Sequence, residues 1–399
     1  MNQLKLSKRW QTLEVFRAVA VVMMVIAHIL MFWFMPNRAT VLSSIPQAKI
    51  IMSWLLTPIG FFVFSIPIVA GAALRFSFQS TWDNLRQKLS WKQKPYLFQD
   101  IGKRGLILLL IGYGVNLLAS GLNYLQFGFG FQILSNVLLF FALAIFAITL
   151  ILKLLNIYWL GGFGILAIAA APFLSSVAFT GKTPYIWMLF FGDSEIYSFW
   201  PFFPWVGVVI FGFLTAQFYL TLKNKKHFPK ILGGVGIFFF LAALLSGVWF
   251  QNIESFNSWS RAFFQPPTLR IIGQLGVFSL LVASLEFLLG RRAAVYKPYG
   301  FINTFSRGIL YIYIFNLTFG MWLANFFQTY FTDVDVFKMH NTIPNYPVGG
   351  GEVVASEAIK SFLILFLVIA LQLILSYGLG VLRVYLKGKY RARLQLGYG

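Results

Sequence analysis

The sequence predicts an all-α, polytopic membrane protein with about ten transmembrane helices and both termini in the cytoplasm. Three observations carry that expectation. Apolar runs of roughly 18 residues or more recur along the whole length, each long enough to cross a hydrocarbon core of about 30 Å. The 399 residues are 59% hydrophobic and 11% charged, with 46 Phe, 17 Tyr and 12 Trp, more apolar surface than a soluble fold of this length has to bury. The basic residues are also sorted by side. With spans at 14–34, 50–74, 104–121, 131–152, 157–178, 200–221, 231–250, 269–289, 302–327 and 357–386, only Arg38, Lys49, Lys182, Arg261, Arg270, Lys338 and Lys360 fall outside, and the other Lys and Arg residues fall on the amino-terminal side. Acidic residues lean the other way, with Asp193, Glu195, Glu254, Asp333, Asp335, Glu352 and Glu357 all placed outside.

The formal charge of +21 would suggest nucleic acid for a soluble protein; arranged by leaflet, it indicates membrane lipid instead, and no nucleic acid partner is expected. With zero cysteines there is neither a disulfide framework nor a thiolate nucleophile, and no His–Glu or His–Asp cluster has metal-ligand spacing, so no metal is expected. Walker loop, dinucleotide glycine fingerprint and nucleophile elbow are all missing. The basic start (Lys5, Lys8, Arg9) resembles a signal peptide, but the apolar segment behind it is long enough to span and lacks a small-x-small cleavage site. No internal repeat or linker interrupts the chain, which reads as one membrane domain over 1–399.

The first span, LEVFRAVAVVMMVIAHIL from Leu13 to Leu30, organises the rest. Arg17 and His28 are eleven residues apart, about 16 Å along a helix axis, and eleven steps of about 100° return a side chain to within about 20° of its starting direction. They therefore share a face, and Glu14 lies near the same stripe within pairing reach of Arg17. His28 is the only histidine inside a span, and an imidazole held there is either hydrogen-bonded between helices, a proton acceptor near neutral pH, or a nucleophile that itself carries a transferred acyl group. Arg17, with Lys103 and Arg104 at the start of span 3 and Arg307 at the start of span 9, can form a cytoplasmic basic mouth that grips phosphate; snorkelling to the interface is the plainer account of each singly.

The remaining elements follow the same alternation. Between spans 2 and 3, the basic stretch from Arg75 to Arg104 suits anionic lipid or a phosphate-rich ligand. The outer loops are rich in Pro, Gly and aromatic residues, as an interfacial belt requires; beside Asp193, Glu195 and Glu254 such rings also suit the C–H faces of a sugar. Span 6 opens with FWPFFPWVGVVIFG, whose Pro201, Pro204 and Trp205 stand at the outer surface, and proline is tolerated in a first turn. In FSRGILYIYIFN, Asn316 lies about 13 Å beyond Arg307 along span 9 and either joins helices or orients His28. His340 reads as a solvated loop residue, and the basic tail (Arg383, Lys387, Lys389, Arg391, Arg393) as an inner-leaflet anchor.

LEVFRAVAVVMMVIAH resembles the first helix of membrane acyltransferases, in which an LDxLRG-like start leads into Arg-x10-His. That group comprises the acyltransferase-3 enzymes and the heparan-α-glucosaminide N-acetyltransferase-like proteins. FFVFSIPIVAGAAL is similar to its second-helix FxFxxxG pattern, FFPWVGVVIFG to FPWxGxxxxG, and FSRGILYIYIFN to GrxSLxiYxxH, so the likeness touches four of ten expected helices in order. Glu14 stands for the usual aspartate, Ala18 for glycine and Asn316 for the late histidine, and the loop 35–49 contains no histidine. The resemblance implies transfer of an acetyl or other small acyl group from cytosolic acetyl-CoA or another acyl-CoA to a hydroxyl or amine of an extracytoplasmic glycan or glycolipid. It implies Arg17 near the donor and His28 at the chemistry; the residues themselves add Lys103, Arg104 and Arg307 as expected donor contacts and Asn316, Asp193, Glu195, Trp205 and Glu254 as expected acceptor contacts, and a bacterial cytoplasmic (inner) membrane location is expected. The rival reading is a transporter or flippase with Arg17 and His28 lining its path, which paired helix breaks in two halves would favour and which the sequence lacks.

Overall fold

A computed structural model describes residues 10–34, 61, 64–77, 102–115, 117, 137–170, 173, 190–191, 200–246, 267–289, 300–320, 323 and 351–396. Among these residues there is helix in each of the ten stretches expected to span, and no strand. In chain order they are α1 (Gln11–Phe34), α2 (Phe64–Ser77), α3 (102–115), α4 (Val137–Leu154), α5 (Ile157–Ala169), α6 (Phe202–Thr221), α7 (Phe228–Leu245), α8 (Thr268–Leu289), α9 (Phe301–Phe315) and α10 (Gly351–Leu396). Among the described residues six helices are long and apolar enough to cross a membrane, the portions being Gln11–Ile29, α4, α6, Lys225–Leu245, α8 and Leu363–Arg383; α2, α5 and Gly308–Gly320 are shorter apolar helices.

The chain divides into two compact units. The first comprises residues 1–13 and 64–294, hence α2 to α8 and the opening turn of α1. Its helices pack through small residues, which let backbones approach where lipid offers no hydrophobic drive for association. A Cβ on Gly71 would fall on the carbonyl oxygen of Val209, and one on Gly212 on that of Ile68, so α2 and α6 touch backbone to backbone. The corner between α4 and α5 is two residues long, and the Asn156 side chain caps α5 by accepting from the Tyr158 and Trp159 N–H groups at 2.9 and 3.3 Å. Proline opens α6 and α7, where its missing N–H costs no helical bond.

The second unit comprises residues 14–63 and 295–399, hence the body of α1 with α9 and α10. Glu14, early in α1, meets Ser306, early in α9, while His28 meets Asn316 further along both, so α1 and α9 run parallel. Gln372 meets Asn316, and a Cβ on Gly380 would strike the Thr304 side chain, so α10 runs antiparallel to α9. α10 continues to Leu396, which places Lys387, Lys389, Arg391 and Arg393 on a helix.

Candidate active site

The α1 stripe has the predicted local geometry. Arg17 Nη1 lies 3.6 Å from Glu14 Oε1, an i,i+3 ion pair, and Ser306 Oγ of α9 donates to the same carboxylate. Ser306 is fully buried, so Glu14 is held between its own helix and α9, and Arg17 is positioned through it.

His28 is met by α9 at the point where that helix changes pitch. Residues Asn316–Gly320 form a π turn continuing α9, a local widening of the helix that recurs at functional sites. Asn316, 0% exposed, brings its Nδ2 to 2.8 Å from His28 Nδ1, and the Tyr313 ring stands 5.9 Å from the imidazole, tilted by 56°. The amide oxygen of Asn316 in turn accepts from Gln372 Nε2 of α10 at 3.4 Å. Gln372 is 0% exposed, and its Oε1 has no hydrogen-bond partner. Gly320 makes room for this pair, because a Cβ there would lie 2.6 Å from Asn316 Oδ1 and 2.9 Å from Gln372 Nε2. Three helices thus converge on one imidazole through a chain of two amides.

Such an arrangement can hold a neutral ring in a fixed orientation. In a neutral imidazole one nitrogen donates and the other accepts, and the partner at Nδ1 decides which role falls to Nε2. The backbone of Arg17 sits about 16 Å away along the same helix, by the rise of about 1.5 Å per residue.

The other expected residues are placed as follows. Lys103 and Arg104 lie exposed in the first turn of α3, in the first unit. Arg307 belongs to α9, but its side chain lies outside the described residues, as do Asp193, Glu195, Glu254 and His340. Trp205 is 0% exposed and packs 5.0 Å from Phe64 and 4.6 Å from Trp200, a core position in the first unit rather than an outer-surface ring. Arg75, expected in a solvated basic loop, is instead 2% exposed at the end of α2, with its Nε donating to Gln217 Oε1 of α6. Sequence reasoning also passed over Gln372 and Glu286. Each had a signal, a lone amide or carboxyl within an apolar helix. Glu286 anchors the start of α1 in the first unit, accepting from Trp10 Nε1 at 2.8 Å and from Thr12 Oγ1. No three His, Cys, Asp or Glu residues come together as a metal site among the described residues.

The family model described as "Heparan-alpha-glucosaminide N-acetyltransferase, catalytic" matches residues 9–247, more than half of the 399. The chain belongs to the heparan-alpha-glucosaminide N-acetyltransferase family. Membership makes it an integral membrane transferase of the acetyltransferase kind, in agreement with its apolar helices. No curated protein and no solved structure matches the chain. Within this heparan-alpha-glucosaminide N-acetyltransferase relative the match covers Arg17 and His28 and ends in the segment after α7, so the amides of Asn316 and Gln372 come from helices beyond it.

Proposed function

We propose that this protein moves an acetyl or similar small acyl group from a cytosolic acyl-CoA to a hydroxyl or amine of an extracytoplasmic glycan or glycolipid. The observation that supports it best is the Asn316–His28 contact at 2.8 Å on the α1 face that also bears the Glu14–Arg17 pair. Arg17, with Arg307 of the same unit, binds donor phosphate. An extended pantetheine arm of on the order of 15 Å then carries the thioester to the depth of His28. The sorting of Lys and Arg supports cytoplasmic termini on a ten-span chain, and the protein is read as a single membrane domain of a bacterial inner membrane.

In the transfer step His28 Nε2 takes the proton of the acceptor hydroxyl or amine as its oxygen or nitrogen bonds to the thioester carbonyl carbon. The tetrahedral intermediate collapses with cleavage of the C–S bond, and the imidazolium returns the proton to the thiolate. No net charge accumulates, and Asn316 keeps the ring aligned throughout. Asp193, Glu195 and Glu254 are proposed to contact the acceptor, whereas Trp205 packs in the core.

The test is radiolabelled acetyl-CoA supplied to inside-out vesicles. Label is expected on a glycan, and His28→Ala is expected to remove it. Full transfer by His28→Ala would overturn the role of this imidazole, and movement of an unmodified precursor without label transfer would favour a flippase.

A further inference from the structure

We propose that Gln372 is a positioning residue that decides, through Asn316, which nitrogen of His28 carries the proton. The proposal rests on the reading of His28 as the transfer base, and it extends that reading to a residue of α10 outside the family match.

The argument starts from the two separations in the chain of amides, 2.8 Å from Asn316 to His28 Nδ1 and 3.4 Å from Gln372 to Asn316. A primary amide has a donating and an accepting end of nearly equal size. Two arrangements therefore fit the same positions. In the first, Gln372 Nε2 donates to Asn316 Oδ1 and Asn316 Nδ2 donates to His28 Nδ1, so the ring proton sits on Nε2. In the second, both amides are turned by half a revolution. His28 Nδ1–H now donates to Asn316 Oδ1, Asn316 Nδ2 donates to Gln372 Oε1, and Nε2 bears a lone pair. Turning one amide alone sets two N–H groups or two oxygens against each other in a fully buried site, so the two must turn together.

Only the second arrangement leaves Nε2 able to take a proton from an acceptor. It is also the one that suits the imidazolium formed during transfer, which has an N–H at both nitrogens and needs an oxygen at Nδ1. When Asn316 offers that oxygen, its own N–H₂ donates to Gln372 Oε1, so that Gln372 holds Asn316 in either orientation and its loss leaves one end of Asn316 unsatisfied in both. The first arrangement, in which Gln372 Oε1 has no partner, is the resting form: there Gln372 Nε2 donates to Asn316 Oδ1 and so turns Asn316 Nδ2 toward His28 Nδ1. Passage between the two is proton-neutral, one proton leaving Nε2 and one arriving at Nδ1 by way of water. A glutamine at 372 serves both forms. An apolar residue of the same length serves neither.

The test uses full-length protein labelled with 15N at histidine, in a His227→Asn, His340→Asn background so that the remaining signals belong to His28. The parent is expected to show one protonated nitrogen, Nε2, and one unprotonated, Nδ1. Gln372→Met preserves length and removes both hydrogen-bonding ends. Its His28 signals are expected to divide between the two tautomers, and its kcat for acetyl transfer to fall on the order of tenfold, the effect of one hydrogen bond missing from the transition state, with the donor KM unchanged. Gly320→Ala, which forces the two amides apart without altering either, is expected to divide the signals in the same way and stands in if the methionine variant does not fold. Unchanged 15N signals in the variants overturn the proposal, whether activity falls or not, because a loss of activity alone would mark a structural residue. Divided signals with undiminished transfer also overturn it. Divided signals together with a fully active His28→Ala variant would retain the amide chain and refute instead the assignment of His28 as the base.

Discussion

Replacing Gly320 with alanine places a methyl group against the two amides that hold His28. The added carbon would stand 2.6 Å from Asn316 Oδ1 and 2.9 Å from Gln372 Nε2, whereas ordinary contact begins at 3.4 Å. The oxygen and nitrogen must then retreat by roughly 0.8 and 0.5 Å, distances over which a close contact changes from repulsive to attractive. Both atoms are ends of side chains, so the retreat is sterically easy, and the backbone of α9 and α10 stays in place. The hydrogen bond between them does not survive it. At 3.4 Å it is already long, and a further few tenths of an ångström takes it beyond bonding range. Two fully buried amides are left under-satisfied, at about 1–3 kcal/mol of stability. If the same interaction supports the transition state, kcat for acetyl transfer falls by about 5- to 150-fold, the same energy expressed as a rate. Thermal unfolding in detergent and initial rates with labelled acetyl-CoA measure the two effects separately. A Gly320→Ala protein with unaltered kcat would refute the reasoning, because it would mean that the amide pair can be parted without consequence for His28.

The remaining predictions concern the donor and the core. Arg17→Gln keeps a hydrogen-bond donor on a shorter side chain and removes the charge; the donor KM is expected to rise on the order of 10-fold or more, the worth of one charge-assisted hydrogen bond, with kcat little changed. A kcat effect without a KM effect would place Arg17 at the chemistry rather than at the phosphates. Trp205→Ala empties a fully buried site beside Phe64 and Trp200, and is expected to cost about 3–5 kcal/mol of stability while leaving the acceptor KM of the folded fraction unchanged. A rise in acceptor KM with unchanged unfolding temperature would instead make Trp205 a sugar platform.

Helical periodicity by itself determined a good deal of this protein. The apolar runs determined the all-helical character, because a chain in lipid has to satisfy its backbone within each segment. The spacing of Glu14, Arg17 and His28 determined their common stripe, and the i,i+3 ion pair at 3.6 Å follows from the geometry of a single helix. Partners from distant segments were decided only by tertiary structure. His28 and Asn316 are 288 residues apart, and nothing in α1 specifies that α9 lies parallel to it with the π turn at the depth of the imidazole. Gln372 looked like one polar residue in an apolar helix until the antiparallel course of α10 set it against Asn316. The same reason explains Arg75 and Trp205, expected at surfaces and found buried: a sequence pattern shows which face of a helix is apolar, whereas close contacts such as those at Gly71, Gly212 and Gly320 decide what that face meets.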